Sequence, residues 1–394
     1  MTKRNGNVAY LDGVRGIAAF LVFLHHFCLV FYTAYFTWDA TVSHLHGVDI
    51  KYGQSIFSFI TNGNYCVQIF FVLSGFVLSR RYLISQDLEI VISGLHRRFL
   101  RLFIPVAFAL ILSYIMIKAH LFYNVPVSQI TNSEWWFGNM WHLEEPFMKL
   151  ISNLSWSTMF SSDSTLDTSL WTLTIEFYGS LFVFAFLAFT HFTKFRQLFL
   201  FLTIYYFFMT GSGYYISFSL GISLYYIEQW AQRNRKVYIE ILAFLLLGFA
   251  LFLGSFPSNN SYVGTVFEHQ GHSLNNYVGW YHPLGAFLLV IAFILSPLLQ
   301  RLVNFRMFRF LGYISFSLYL LHPLLMGSWS SWIFMELQYA RVGYNHAVVI
   351  VLLATTAVLL PISWLMAKYI DQFGIHFAKR VYQYVRKPTG VTGK

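Results

Sequence analysis

An arginine and a histidine in the first apolar run of the chain have the types and the spacing for chemistry inside a membrane. The run, LDGVRGIAAFLVFLHHF, covers residues 11–27 and holds Arg15 and His26 eleven positions apart. Eleven positions turn a helix about 20° beyond three full turns, so both side chains share one face, about 16 Å apart along the axis. Asp12 lies near that face, whereas His25 lies about 80° away from it. Periodicity therefore favours His26 over His25 as the functional histidine.

This stripe predicts an anion contact at one end and a base at the other. Arg15 is expected near the inner edge of the membrane, where a cation can reach water or an anion. His26 is expected near mid-membrane, where a polar ring needs a partner or a water-filled cavity. Such a stripe suits an enzyme whose cofactor enters from inside and whose chemistry takes place in the bilayer. The alternative is a structural histidine beside an arginine that only sets topology.

The composition requires a membrane around this stripe. Of the 394 residues, 57% are hydrophobic and 11% are charged, whereas ordinary soluble domains carry about 25% charged residues. Aromatic residues alone make up 20%. A water-soluble domain could not bury this much apolar surface, so the chain is predicted to be an all-α integral membrane protein.

About ten apolar runs, each close to the 20 residues that span a bilayer, are separated by turn residues. They predict a bundle of transmembrane helices at roughly 13–36, 56–79, 99–118, 169–190, 198–211, 213–229, 237–256, 281–299, 310–334 and 346–368. With the N-terminus inside, all but four of the 26 basic residues fall on the cytoplasmic side. This bias predicts that both termini are cytoplasmic. The net charge of +10 is therefore explained by basic residues that set the orientation in the membrane. No nucleic-acid partner is expected.

The predicted outer loops, 37–55, 119–168 and 257–280, are longer than the inner ones. Their tryptophans are either interface anchors or a sugar-stacking surface, and their histidines lack the compact spacing of a metal site. These residues are Trp135, Trp136 and Trp141, and His44, His46, His142, His269 and His272. Cys28 and Cys66 lie in or beside apolar runs and are expected to pack there rather than to form a disulfide or bind metal.

Polar side chains also interrupt two later runs. Glu176 lies inside the fourth predicted span, where a carboxylate must be paired, protonated or facing a cavity. In the ninth span, Ser315, Tyr319 and His322 are spaced four and three residues apart, so they form one polar stripe. Both sets are candidates for a site or for hydrogen bonds between helices.

Five segments, taken in order, resemble the acyltransferase-3 family of integral membrane acyltransferases. The resemblance covers about residues 8–370, and the family has about ten membrane spans. The segments are YLDGVRGIAAFLVFLHHF at 10–27, QIFFVLSGFVLSRRY at 68–82, HRRFLRLFIP at 96–105, LWTLTIEFYGSLFVF at 170–184 and LGYISFSLYLLHPLL at 311–325. The domain expected from this resemblance is 1–370, followed by a basic cytoplasmic tail at 371–394.

The resemblance implies an O-acyltransferase that moves an acyl group, most often acetyl from acetyl-CoA, onto a carbohydrate hydroxyl. The implied acceptors are surface polysaccharide, lipopolysaccharide or a glycolipid precursor of the cell envelope. The protein would then lie in the cell (inner) membrane, with membrane lipid, acyl-CoA and the carbohydrate as its partners. A homo-oligomer is left open. The rival hypothesis is a polytopic transporter or flippase for a sugar-linked lipid or small molecule.

By resemblance, His26 is the general base for the acceptor hydroxyl, or a histidine that is transiently acylated. Arg15 contacts a phosphate of CoA or organises the site. Arg97, Arg98 and Arg101 are expected to form a cradle for the CoA phosphates, because guanidinium groups suit phosphate. Their alternative role is to set topology.

Five further residues complete the predicted site. Glu176 orients the acceptor or a catalytic histidine, or else pairs with a distant polar group. Trp171, Tyr178 and Tyr319 are expected to line the cavity that receives the acceptor. His322 closes the active cavity or makes a hydrogen bond between helices.

Overall fold

The computed structural model describes residues 9–141, 145–234, 236–258, 265 and 278–386. Within these residues the chain is helical and contains no strand, as the sequence predicted. The predictions that concern His142, His269, His272 and residues 387–394 of the expected tail lie outside the described residues.

Eleven helices of ten residues or more form the described architecture. They are α1 Ala9–Phe31, α2 Gly63–Ser85, α3 Leu88–Lys118, α4 Trp171–Phe189, α5 Arg196–Met209, α6 Gly213–Arg233, α7 Val237–Gly254, α8 Tyr281–Leu295, α9 Arg306–Leu325, α10 Tyr344–Met366 and α11 Gln372–Arg386. Shorter helices are Ala34–Thr37, Val48–Gly53, Asn124–Thr131, Phe147–Ser152, Thr158–Phe160, Pro297–Val303 and Ser331–Tyr339.

Each of the ten predicted spans overlaps one of the helices α1 to α10. Among the described residues, seven helices are long and apolar enough to cross a membrane, or eight if α8 and Pro297–Val303, bent by 104°, form one span. Helix α5 is apolar but has only 14 residues. The all-α membrane fold is thus confirmed, while the count of ten stays a prediction.

The ends of the helices differ from the sequence prediction, and this changes where the site residues lie along their helices. Helix α1 ends at Phe31 rather than at 36, because apolar residues continue past the helix end into the short helix Ala34–Thr37. His26 is therefore five residues from the end of α1, away from its middle. Helix α3 begins at Leu88, where the Asp87 side chain accepts a hydrogen bond from Glu89 N at 3.0 Å.

Helices α1 and α9 are in backbone contact. A Cβ atom added at Gly16 would collide with the Gly312 backbone, and one added at Gly312 would collide with the Asp12 carbonyl. His26 and His322, each ten residues after its glycine, are also in contact. The two helices therefore run in the same direction, in matching register.

Helix α2 packs against α6 in a similar way, because Gly75 lies against the Phe218 backbone. The absence of a side chain at Gly75 thus permits the close approach of these two helices. Helix α11 follows a π-helical turn, Ala367–Asp371, and packs along α3. The domain boundary at 370 stays a prediction, but the described part of the expected tail is a packed helix.

Candidate active site

A pair of histidines joins α1 to α9. Nδ1 of His26 lies 2.7 Å from Nε2 of His322, and the ring planes differ by 10° with centroids 5.0 Å apart. Such a short contact between ring edges, with the planes nearly parallel, means that the rings lie side by side rather than face to face. His322 is fully buried, and its Nδ1 donates to the Leu318 carbonyl at 3.1 Å.

An indole covers one face of this pair. The ring of Trp136 is nearly parallel to that of His26, at 18°, with centroids 5.3 Å apart, which is an offset aromatic stack. The sequence placed Trp136 only among loop tryptophans that anchor at the interface or stack on sugars. Nothing in its spacing pointed to His26, because the stack depends on how the loop folds back over α1.

His25 has a different environment from its neighbour. Its Nδ1 lies 2.7 Å from the Thr61 carbonyl and 2.7 Å from the Tyr35 hydroxyl. These contacts tie α1 to the segment that precedes α2. His25 is therefore a structural residue here, which agrees with its position off the Arg15–His26 face.

A cavity of about 300 Å³ lies between α1, α2, α3, α4 and α9, and the start of α11 closes one side. It is at the lower end of the volume of small-molecule sites, about 300–1,000 Å³. Its polar lining consists of residues that the sequence had singled out and of others that it had not. These are Arg15, Arg98, Arg101, Glu176, Ser315 and Tyr319, and Ser74, Thr172, Asp371 and Gln372.

Glu176 forms an ion pair with Arg98 across α4 and α3. Its Oε1 also accepts a hydrogen bond from Ser74 at 2.7 Å, while Arg98 Nε donates to the Ser180 hydroxyl at 2.7 Å. This geometry matches the alternative in which Glu176 pairs with a distant polar group. Ser74 thus makes a hydrogen bond between helices α2 and α4. Oε2 of Glu176 is buried and has no hydrogen-bond partner among the described residues.

The three arginines predicted to act together are divided by the structure. Arg98 is buried in the ion pair with Glu176, and Arg101 is exposed and lines the cavity. Arg97 does not line it, and its Nε donates to the Ser93 carbonyl at 2.9 Å. Arg15 lines the cavity as well, with its guanidinium 3.4 Å from Asp12. Among the described residues, Arg101 thus faces the cavity without an ion pair, whereas Arg15 faces it while paired with Asp12 at the helix surface.

The predicted acceptor-binding aromatics are also separated. Trp171 and Tyr178 do not line the cavity. The ring centroids of Trp171 and Tyr214 are 5.6 Å apart, and the Tyr178 hydroxyl donates to the Phe160 carbonyl at 3.4 Å. Tyr319 does line it, and its ring lies 5.8 Å from that of His322. Tyr319 is thus the residue shared by the cavity and the histidine pair.

Tyr319 is held by the first turn of α4 and by the segment in front of it. Its hydroxyl lies 2.8 Å from the Thr172 hydroxyl and donates to the Ser169 carbonyl at 3.1 Å. Asp167 accepts hydrogen bonds from the backbone and hydroxyl of Ser169 at 2.9 and 2.8 Å. Burial raises the pKa of Asp167 to about 7. The sequence did not single out Asp167, since an aspartate before a helix is ordinarily only a cap.

The geometry thus places an arginine-lined cavity near Arg15 and Gly312 and a histidine pair further along the same α1–α9 contact. The chain matches the acyltransferase-3 family model, described as an acyltransferase domain, over residues 8–367. No curated protein and no solved structure matches the chain. The family match covers nearly the whole sequence, and helices α1, α2, α3, α4 and α9, which surround the cavity, lie within it. The chain therefore belongs to the acyltransferase-3 family and is a multi-pass membrane acyltransferase.

Proposed function

We propose that the protein transfers an acyl group, acetyl in the simplest case, from acyl-CoA to a hydroxyl of a carbohydrate, with His26 as the general base. The observation that carries this proposal is the line formed by Arg15, the cavity, Tyr319, His322 and His26. Anion-binding groups lie at one end of this line and a base at the other. Acyl-CoA is arranged in the same way, with charged phosphates toward one end and the reactive thioester at the other.

The residues around the cavity fit the nucleotide-bearing part of such a donor. Three arginines and two carboxylates line it, and Glu176 already pairs with Arg98. Arg101, and Arg15 with the donors that its 3.4 Å contact with Asp12 leaves free, are then the groups proposed for phosphate, to which guanidinium donates paired hydrogen bonds. The volume suits part of a CoA molecule rather than the whole.

The two ends of the line are close enough for one substrate to connect them. Tyr319 precedes His322 by three residues, about 4.5 Å along a helix. A thioester at the Tyr319 end of the cavity would stand about one helical turn from the histidine pair. The proposal requires the ring of Tyr319, whose hydroxyl is bonded to Thr172 and Ser169, to shift so that the thioester reaches His26.

The residues of the chain then act in a defined order. His26 removes the proton from the acceptor hydroxyl as its oxygen bonds to the thioester carbonyl carbon. The carbon–sulfur bond breaks, and His26 returns the proton to the thiolate of CoA. The products are the acyl ester and the free thiol, and His26 is again neutral.

The proposed location is the cell (inner) membrane, with both termini in the cytoplasm. The distribution of basic residues supports this orientation, and it puts Arg15 and Arg101 on the side where acyl-CoA is available. The proposed acceptor is a surface polysaccharide, a lipopolysaccharide or a glycolipid precursor.

The test is transfer of label by the purified protein. Protein in detergent is given acetyl-CoA labelled in the acetyl group, with a panel of glycans, and both free CoA thiol and labelled glycan are measured. The proposal expects the two products in equal amounts. Sealed vesicles that move the glycan or its lipid carrier across the membrane, while no thioester is consumed, would instead support the transporter.

A further inference from the structure

We infer that His322 is a positioning residue that fixes His26 as the Nδ1–H tautomer, so that Nε2 of His26 is the nitrogen that acts as the base. The catalytic meaning of this inference rests on the proposed function. The tautomer itself is a property of the resting protein and can be measured without turnover.

The Leu318 carbonyl determines which nitrogen of His322 is protonated. It lies 3.1 Å from Nδ1 of His322, within hydrogen-bonding distance. A carbonyl oxygen can only accept, so Nδ1 of His322 carries a proton. In a neutral imidazole the other nitrogen, Nε2, then has a free lone pair.

The surroundings of His322 favour the neutral ring. The side chain is 0% exposed, and its ring neighbours are Phe23, Tyr319 and His26. No carboxylate contacts it among the described residues. A cation at such a place in a membrane protein is costly without a partner.

The lone pair of His322 Nε2 fixes the proton of His26. The two nitrogens are 2.7 Å apart and the rings are within 10° of coplanar. The lone pair and the N–H bond of imidazole both lie in the ring plane, so the pair is aligned for a hydrogen bond. His26 must be the donor, because the acceptor is already defined. Its proton is therefore on Nδ1.

This leaves Nε2 of His26 as the free nitrogen. It has no hydrogen-bond partner in the part of the chain that the structure describes. Because it is not a buried atom, it is accessible from the space around the ring. The lone pair of Nε2 lies in the ring plane, so a substrate hydroxyl has to approach along the edge that carries Nε2, beside the face that Trp136 covers.

The same hydrogen bond stabilises the protonated intermediate. When Nε2 of His26 takes the proton of the acceptor hydroxyl, the ring becomes a cation and still donates Nδ1–H to His322. Hydrogen bonds from a charged donor are about twice as strong as neutral ones. His322 thus has the orienting role that an aspartate has in a serine–histidine–aspartate triad, but as a neutral acceptor.

Two substitutions separate this role from simple packing. H322Q keeps an acceptor near the position of Nε2, whereas H322N keeps a polar group near Nδ1 and leaves Nδ1–H of His26 without an acceptor. We expect H322N to lower kcat about 100-fold and H322Q to retain about one tenth of wild-type kcat. The KM for acyl-CoA should be unchanged in both, because His322 does not line the cavity.

Folding is checked independently of turnover. Each variant is compared with the wild type by size-exclusion profile and by equilibrium binding of acyl-CoA, and only variants that match the wild type are interpreted. Equal losses of kcat in folded H322Q and H322N would overturn the positioning role.

The tautomer is measured directly by ¹⁵N spectroscopy of protein labelled at histidine. Spectra of the wild type and of the His26→Asn variant give the His26 signals by difference. We expect protonated Nδ1 and unprotonated Nε2 in the wild type, and loss of this preference in H322N. Protonation of His26 on Nε2 in the wild type would overturn the inference even if acyl transfer occurs. The expected tautomer without any acyl transfer would instead contradict the proposed function.

Discussion

Arg98 on α3 and Glu176 on α4 form an ion pair in the wall of the cavity, and Ser74 on α2 donates to the same carboxylate. Three helices thus meet at one carboxyl group. The pair removes Arg98 from the set of cations that an anionic substrate could reach. It also explains how a glutamate is tolerated inside an apolar helix.

Glu176→Gln should therefore act on stability. It leaves the buried Arg98 guanidinium without its charged partner, and breaking such a pair costs about 3–5 kcal/mol. We expect a loss of this size in the free energy of unfolding, measured by denaturation in detergent. Adding Arg98→Met to the same chain should recover much of the loss. If E176Q instead raised the KM for the carbohydrate with stability unchanged, Glu176 would be an acceptor ligand.

Arg101 and Arg97 offer a matched comparison on one helix. Arg101 lines the cavity and Arg97 bonds to the Ser93 carbonyl outside it. Arg101→Gln should weaken acyl-CoA binding about tenfold, which is about 1.4 kcal/mol, and Arg97→Gln less than about twofold. Titration of each purified variant with acyl-CoA measures this. Equal losses would mean that general positive charge, rather than the cavity, attracts the donor.

The register between α1 and α9 can be disturbed without touching a histidine. A methyl group at Gly312 meets the Asp12 carbonyl, so Gly312→Ala should push the helices apart and weaken the His26–His322 contact. We expect kcat to fall at least about tenfold, because small misplacements at a reacting centre are costly. Gly248→Ala on α7 is the control, since a methyl group there meets nothing within 4 Å. Unchanged kcat in a folded G312A variant would show that the register is not needed.

The buried carboxyl group of Asp167 predicts a pH dependence of stability. Its pKa is about 7 in the folded protein against an ordinary value of 3.8, so the folded state binds the proton more tightly than the unfolded state. Stability should fall as the pH rises from about 4 to about 7 and then level off. Asp167→Asn keeps an acceptor for Ser169 and should lose that part of the slope. Thermal unfolding of both proteins across this pH range measures it, and identical slopes would refute the assignment.

Much of the site could be predicted from the sequence, because the cost of polar groups in apolar helices marks them strongly. Arg15, His26, Glu176, Tyr319 and His322 were all singled out in this way. The contact between His26 and His322 was not, since the residues are 296 positions apart. It depends on the Gly16–Gly312 approach, which helical periodicity does not reveal.

Other features depended on local details that periodicity does not contain. The end of α1 at Phe31 follows from a turn within a continuous apolar run, and it shifts His26 toward the helix end. Arg97 and Arg101 lie about one turn apart on α3, and the cavity reaches Arg101 but not Arg97, which bonds to the Ser93 carbonyl instead. Trp136 reaches His26 through the fold of a loop.

The most direct test of the central claim is transfer of labelled acetyl from acetyl-CoA to a glycan by the wild type and by His26→Ala, with acyl-CoA binding measured on the same samples. The account predicts that the variant binds acyl-CoA as the wild type does, because Arg15, Arg101 and the cavity remain. It also predicts that the rate of transfer falls by about 100-fold to 10,000-fold. A His26→Ala protein that transfers acetyl at the wild-type rate would contradict the account.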